Sequence, residues 1–263
     1  MNEQINPVSS PKLSFWQKIT ADPFPFVFFG LILGYKLFSL TGMVINTFFP
    51  ELVPPEARAQ AQATYVSLGL LAFAFFAVIF DVLIIASYLL RSEPVSRARG
   101  FWERQYPLIT VLFPMVGNTL LFVPEIRANV PPIPLDQLGQ QWGIPGLPAY
   151  VETAGLIFSL LGTTLSIISL WSLKRSFSVM TEVRHLVTTG LYRYVRHPLY
   201  MSEIIHAIGL VLLSAHPIIF GVTVITIILQ VIRAKIEERK FLQTLPQYAE
   251  YRKRTGFLWP KFS

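Results

Sequence analysis

A basic, aromatic-rich stretch runs from Leu186 to Tyr200 and contains Arg196-His197-Pro198, and Arg233, Glu237 and Glu238 follow about forty residues later at the end of the next apolar run. Glu237 and Glu238 can pair with a cationic group or accept from hydroxyls, and Arg233 can hold a carboxylate through two parallel hydrogen bonds. Glu237 comes four residues after Arg233, so the two share a helix face and can form an ion pair. His197 precedes the N-terminal end of a helix, where free N–H groups favour anions. Tyr192, Tyr194 and Tyr200 offer flat surfaces on which an aromatic base can stack. Taken singly, Arg193 and Arg196 serve as orientation anchors at a membrane flank, and Tyr194 suits an aromatic belt. Taken jointly and in this order, the residues suit a zwitterion bearing an aromatic base.

The elements that must position these residues are membrane helices. Of 263 residues, 52% are hydrophobic and only 14% charged, where a soluble domain carries about a quarter. The apolar excess lies in long runs, as expected of an integral membrane protein. Six spans are expected, at roughly 24–49, 63–90, 106–124, 149–172, 198–214 and 217–236. Each is close to the ~20 residues that cross the hydrocarbon layer as a helix. The chain contains no cysteine, which excludes disulfides, Cys-ligated metals and a thiol nucleophile. The N-terminal tail shows no cleavable-signal pattern.

Orientation follows from the basic residues. With both termini on one side, that side holds 19 of the 22 Lys and Arg, the other only Arg58 and Arg127, and Lys36 lies inside the first span. The positive-inside rule makes the rich side cytoplasmic, and an even number of spans agrees. The net charge of +7 is thereby explained without nucleic acid.

The expected fold is all-α: a polytopic membrane protein of about six transmembrane helices whose C-terminal helical hairpin builds the cofactor pocket. Residues 1–263 read as one integral membrane domain. Its first part, 24–172, holds four spans with few polar groups, and 173–263 hold the cofactor-binding half with its hairpin and cytoplasmic tail. His216-Pro217 makes the hairpin turn, because proline disfavours helix in the residue before it. Pro198 suits the first turn of the fifth span, and the sixth continues past Arg233 to stop before Pro246. The Pro-rich stretch 131–148 is expected to cap the third and fourth spans. Lys36 and Asp81 fall at similar depths, ~18 and ~15 Å from the cytoplasmic ends of their spans at 1.5 Å per residue. An unpaired ion there costs at least ~2.5–3.5 kcal/mol, so they are expected to pair, with Asn118 as a possible neighbour.

Leu186-Val187-Thr188-x-Gly190-x-Tyr192, then Arg196-His197-Pro198-x-Tyr200, a hairpin, Arg233-x-x-x-Glu237-Glu238, and Tyr248-x-x-Tyr251 form an ordered set. This set resembles the isoprenylcysteine carboxyl methyltransferase family and is similar to the related phospholipid methyltransferases. The resemblance covers about residues 184–260 and implies S-adenosyl-L-methionine as methyl donor. It implies cofactor binding by Leu186, Val187, Gly190, Tyr192, His197, Pro198, Leu199, Tyr200, Glu237 and Glu238, and catalytic roles for Arg233 and Glu237. It assigns Arg233 to a substrate carboxylate. Met201-Ser202-Glu203 departs from the small residue usual after that tyrosine.

The charged donor is cytosolic, so the active site should face the cytoplasm, in a bacterial cytoplasmic membrane or the endoplasmic reticulum. The expected acceptor is lipid-like and enters from the membrane. A carboxylate such as a prenylcysteine α-carboxyl, already ionised at neutral pH, needs only an orienting cation such as Arg233. A phospholipid amine must first lose a proton, and Glu203 and His206, three residues apart on the fifth span, are the candidate base and substrate-binding pair. Sterol-type membrane reductases share a similar C-terminal half that binds NADPH, with Asn-Tyr where this chain has Pro198-Leu199-Tyr200, and form a second enzymatic class. A non-enzymatic membrane scaffold is a third.

Overall fold

The computed structural model describes residues 23–54, 68–119 and 129–261. Among them are eight α-helices and no strand: α1 Pro23–Phe48, α2 Leu68–Leu90, α3 Gly100–Thr119, α4 Leu135–Gln141, α5 Leu147–Leu173, α6 Pro198–Ser214, α7 Pro217–Thr244 and α8 Tyr248–Arg254. Three helices are long and apolar enough to cross a membrane, over Phe26–Phe48, Leu147–Ser176 and Pro217–Thr244. Ala74–Leu90 and Pro198–Ser214 are apolar but shorter. The tail with Lys12 and Lys18, Arg58, Arg127 and the side chain of Asn118 lie outside the described residues.

One expectation needs correction. The third element does not begin near residue 106: it starts at Gly100, six residues earlier, and carries Pro107 and Pro114 inside the helix. Proline removes a backbone donor; here the Thr110 hydroxyl donates to the Pro107 carbonyl at 2.7 Å. The Pro-rich stretch folds partly into α4 and packs on α5, the expected fourth span, and it also donates from Ile133 N to Ala215 O, 2.7 Å, at the α6–α7 turn. That turn forms as the sequence suggests. Ala215 takes a left-handed conformation and His216 caps α7, its Nδ1 accepting from Ile218 N at 3.2 Å.

The helices follow one another in space as α1, α2, α5, α6, α7 and α3. The closest approach joins α5 to α6 through small residues. A Cβ on Gly162 would meet the α6 backbone at His206 Cα and Ser202 O, both 2.7 Å away, so only glycine fits there. Ser166 and Ser202 hydrogen-bond across the same seam at 2.7 Å. A buried cluster around Tyr88, with Phe29, Ile84, Leu170, Phe177, Val179 and Leu199, closes the bundle at its basic end. Apolar residues remain uncovered along α1, with Leu31 70% and Phe38 81% exposed, a surface suited to an apolar environment.

Candidate functional site

The approach to α6 is irregular backbone held from three sides. Val183 pairs with Ser96 in an isolated antiparallel bridge, and Thr181 N donates to Glu103 O at 2.9 Å. Gly190, at a φ of 61°, opens a single 3₁₀ turn, and a Cβ there would strike Ser172. Val195 then pairs in parallel with Gly256 of the C-terminal tail. Arg196 N donates to Gly256 O at 2.9 Å, and His197 N to Phe257 O at 3.2 Å. Tail and approach thus fix each other, and Pro198 starts α6 at its first turn, as the missing N–H allows. The His197 ring stacks on Tyr200, centroids 5.5 Å apart, and meets the edge of Phe257.

Successive residues on a helix point about 100° apart, and Glu237 and Glu238 diverge accordingly. Glu238 takes Arg196 Nε at 2.5 Å, His197 Nε2 at 3.4 Å and Arg252 Nε at 3.5 Å. Glu237 accepts from the Tyr200 hydroxyl and faces Arg233 Nε at 3.4 Å. Arg233 is buried. Its Nη1 donates to Thr110 Oγ1 at 3.1 Å and its Nη2 to Val179 O at 2.5 Å, while its guanidinium lies 5.1 Å from the Tyr200 ring centre.

These groups wall one cavity of about 480 Å³. Its basic-end compartment is lined by Leu186, Val187, Tyr192, Phe241 and Tyr248. Burial pushes the phenol of Tyr192 well above its ordinary range, with the Glu237 carboxylate adding to it, and pushes that of Tyr248 up as well. Burial also lifts Tyr251 to about 12, so its hydroxyl stays a donor and reaches the Tyr192 carbonyl at 2.7 Å. The other compartment runs between the helices past Glu203, His206 and Gln230 to the Lys36–Asp81 pair, which forms at 2.8 Å.

Of the residues expected at the site, Leu186, Val187, Tyr192, His197, Leu199, Tyr200, Glu203, His206, Arg233 and Glu237 line this cavity. Gly190, Pro198 and Glu238 are not among its lining residues, and Glu238 instead pairs with Arg196 and His197, which are. Tyr194 is exposed and offers the cavity no surface. Arg196, read from the sequence as an orientation anchor and a motif residue, also lines the cavity, whereas Thr110, Gln230 and the tail residue Phe257 took no part in the sequence reading. Gln230 had a signal: Thr223, Thr226, Gln230, Arg233 and Glu237 recur every three or four residues, a polar stripe on an otherwise apolar helix. Thr110 had none, and the partner of Arg196 could not be read, since both contacts join residues distant in sequence.

An opposed carboxylate and guanidinium thus sit between an aromatic, apolar compartment and one that runs between the helices. Residues 151–249 match the phospholipid methyltransferase family. The match takes in α5, the approach segment, the α6–α7 hairpin and the start of α8. It is consistent with a membrane methyltransferase of the phospholipid and isoprenylcysteine carboxyl methyltransferase kind, and it supports an enzyme. The phospholipid methyltransferase match and the three long apolar helices together support membrane association. Searched against curated proteins, the chain matches none.

Proposed function

We propose that this chain is an S-adenosylmethionine-dependent methyltransferase that methylates the carboxylate of a lipid-like acceptor, such as a prenylcysteine α-carboxyl, at the cytoplasmic face of a membrane. The observation that carries the reading is the Glu237–Arg233 pair at the junction of the two compartments of one cavity.

The residues present suit the cofactor. The basic-end compartment offers flat and apolar surfaces from Tyr192, Tyr248, Leu186 and Val187 for an aromatic base. Glu237 supplies an acceptor for hydroxyl or ammonium donors. At about 480 Å³ the cavity falls in the ~300–1,000 Å³ range of small-molecule and cofactor sites. Bound there, S-adenosylmethionine supplies a methyl group on a cationic sulfur, activated for in-line displacement.

The chain contributes position and dryness. Arg233, held by Glu237, Thr110 and the Val179 carbonyl, orients the acceptor carboxylate without swinging. A carboxylate acceptor would already be ionised at neutral pH, so no side chain would have to move a proton and Arg233 would only have to hold the acceptor in line with the methyl donor. Apolar residues such as Ile84, Leu199 and Leu210 keep water from the reacting oxygen. The reading treats the chain as a single membrane domain of six spans with both termini cytoplasmic, consistent with the bias in Lys and Arg.

N-methylation of a phospholipid amine is the second reading, favoured by Glu203 and His206 in the membrane-depth compartment, where a base would be needed. Purified protein incubated with methyl-labelled cofactor and a lipid extract separates the two. A carboxyl ester releases its label as methanol in mild alkali, as we expect, whereas an N-methyl group keeps it. Arg233→Ala should abolish ester formation while leaving cofactor binding; undiminished turnover by that variant would remove the role given to Arg233.

A further inference from the structure

Below the Arg233–Glu237 pair the cavity wall carries a second polar rung. Glu203 lies three residues past Tyr200 on α6, and Gln230 three residues before Arg233 on α7, so this rung sits about 4.5 Å deeper at 1.5 Å per residue. Gln230 Nε2 donates to Glu203 Oε2, which turns the amide so that its oxygen is left over. That oxygen is buried, in a residue only 5% exposed, and has no hydrogen-bond partner, and Gln230 lines the cavity. An amide oxygen in this position lacks the partner that nearly all buried polar groups have. Carboxylate oxygen and amide oxygen together present acceptors, so what they lack is a donor.

The geometry points to Gln230, oriented by Glu203, as a specificity-determining subsite that takes an N–H or O–H donor on the acceptor molecule. The inference rests on the carboxylate reading above and narrows it. The preferred acceptor is a carboxylate with an amide N–H or hydroxyl within about 5 Å of the methylated group, followed by an apolar chain, because the two rungs are about one helical turn apart. A bare fatty acid fills the same volume with methylenes and leaves the Gln230 oxygen orphaned. A site built to bond a polar group discriminates strongly against analogues that lack it.

The test compares two chain-matched acids that differ in one atom: N-dodecanoylglycine, with an amide N–H, and its ester isostere, in which oxygen replaces that N–H. Base-labile methyl incorporation is measured with the full-length protein. Wild type should methylate the amide with a kcat/KM at least about tenfold above the ester, the least expected for one buried, otherwise unpaired acceptor. Gln230→Leu should bring the two rates together, chiefly by slowing the amide. Equal rates in wild type would overturn the subsite while leaving carboxyl methylation intact. Turnover of neither acid would overturn the carboxylate reading and the subsite with it. The wild-type comparison needs no variant, so misfolding of Gln230→Leu would not protect the inference.

Discussion

Arg196 and Glu238 are 42 residues apart in sequence and meet at 2.5 Å, joining the start of α6 to the C-terminal part of α7. Arg196 also donates to the carbonyls of Thr255 and Arg252, so one guanidinium gathers the approach segment, the hairpin and the tail. The adjacent carboxylates on α7 therefore differ in work: Glu238 holds the corner together, and Glu237 faces the cavity.

Removing Glu238 leaves Arg196 and His197 without their shared anion. Breaking a buried pair from one side costs about 3–5 kcal/mol, and Glu238→Ala should fall at the lower end because Arg196 keeps its two carbonyls. Thermal unfolding in detergent should show a clear loss of stability, with Glu238→Gln intermediate. Equal stability of Glu238→Ala and wild type would rule out Glu238 as the organiser.

Lys36 and Asp81 should behave as one unit. Asp81 is buried, and an unpaired ion at that depth costs at least ~2.5–3.5 kcal/mol. Lys36→Met or Asp81→Leu alone should destabilise the protein by roughly that amount, and the double variant should recover most of it. Additive losses in the double-mutant cycle would show that the two do not interact.

The seam between α5 and α6 should tolerate no side chain at residue 162. The atoms facing Gly162 belong to the α6 backbone and cannot rotate away. Gly162→Ala should cost about 1–3 kcal/mol through overpacking and displace α6, which carries Glu203 and His206. Acceptor KM should rise several-fold while cofactor affinity changes less; a larger change in cofactor affinity would contradict this division of the cavity.

Tyr251→Phe removes one buried hydrogen bond to the Tyr192 carbonyl, at a cost of about 1 kcal/mol. Cofactor binding should weaken several-fold because Tyr192 lines the basic-end compartment. With the Tyr251 phenol raised to about 12, that tie should not titrate between pH 6 and about 10. A binding transition in that window abolished by Tyr251→Phe would be inconsistent with it.

Helix positions and the hairpin turn were legible because apolar runs, Pro198 and Pro217 mark them directly. The Lys36–Asp81 pair was legible too, since depth along two helices and the cost of a lone ion leave few alternatives. Glu237 with Arg233 followed from helical spacing. The start of α3 did not follow, because Phe101-Trp102-Glu103-Arg104 reads as a polar flank until Lys240 is found on Glu103 at 2.5 Å. Nor could sequence give Glu238 its partners: its place at the corner depends on where Arg196 and the tail arrive. Contacts of Thr110 and Phe257 depend on packing between segments more than a hundred and about sixty residues away, respectively, and leave no local trace.

Direct binding of labelled S-adenosylmethionine to the purified protein tests the central claim most closely. Wild type should bind it saturably, NADPH should not compete, Glu237→Ala should weaken binding at least about tenfold through loss of a charge-assisted hydrogen bond, and Lys36→Met should bind nearly as wild type. Absence of saturable binding, displacement by NADPH, or affinity indifferent to Glu237 would contradict a methyl-donor site at the junction of α6 and α7.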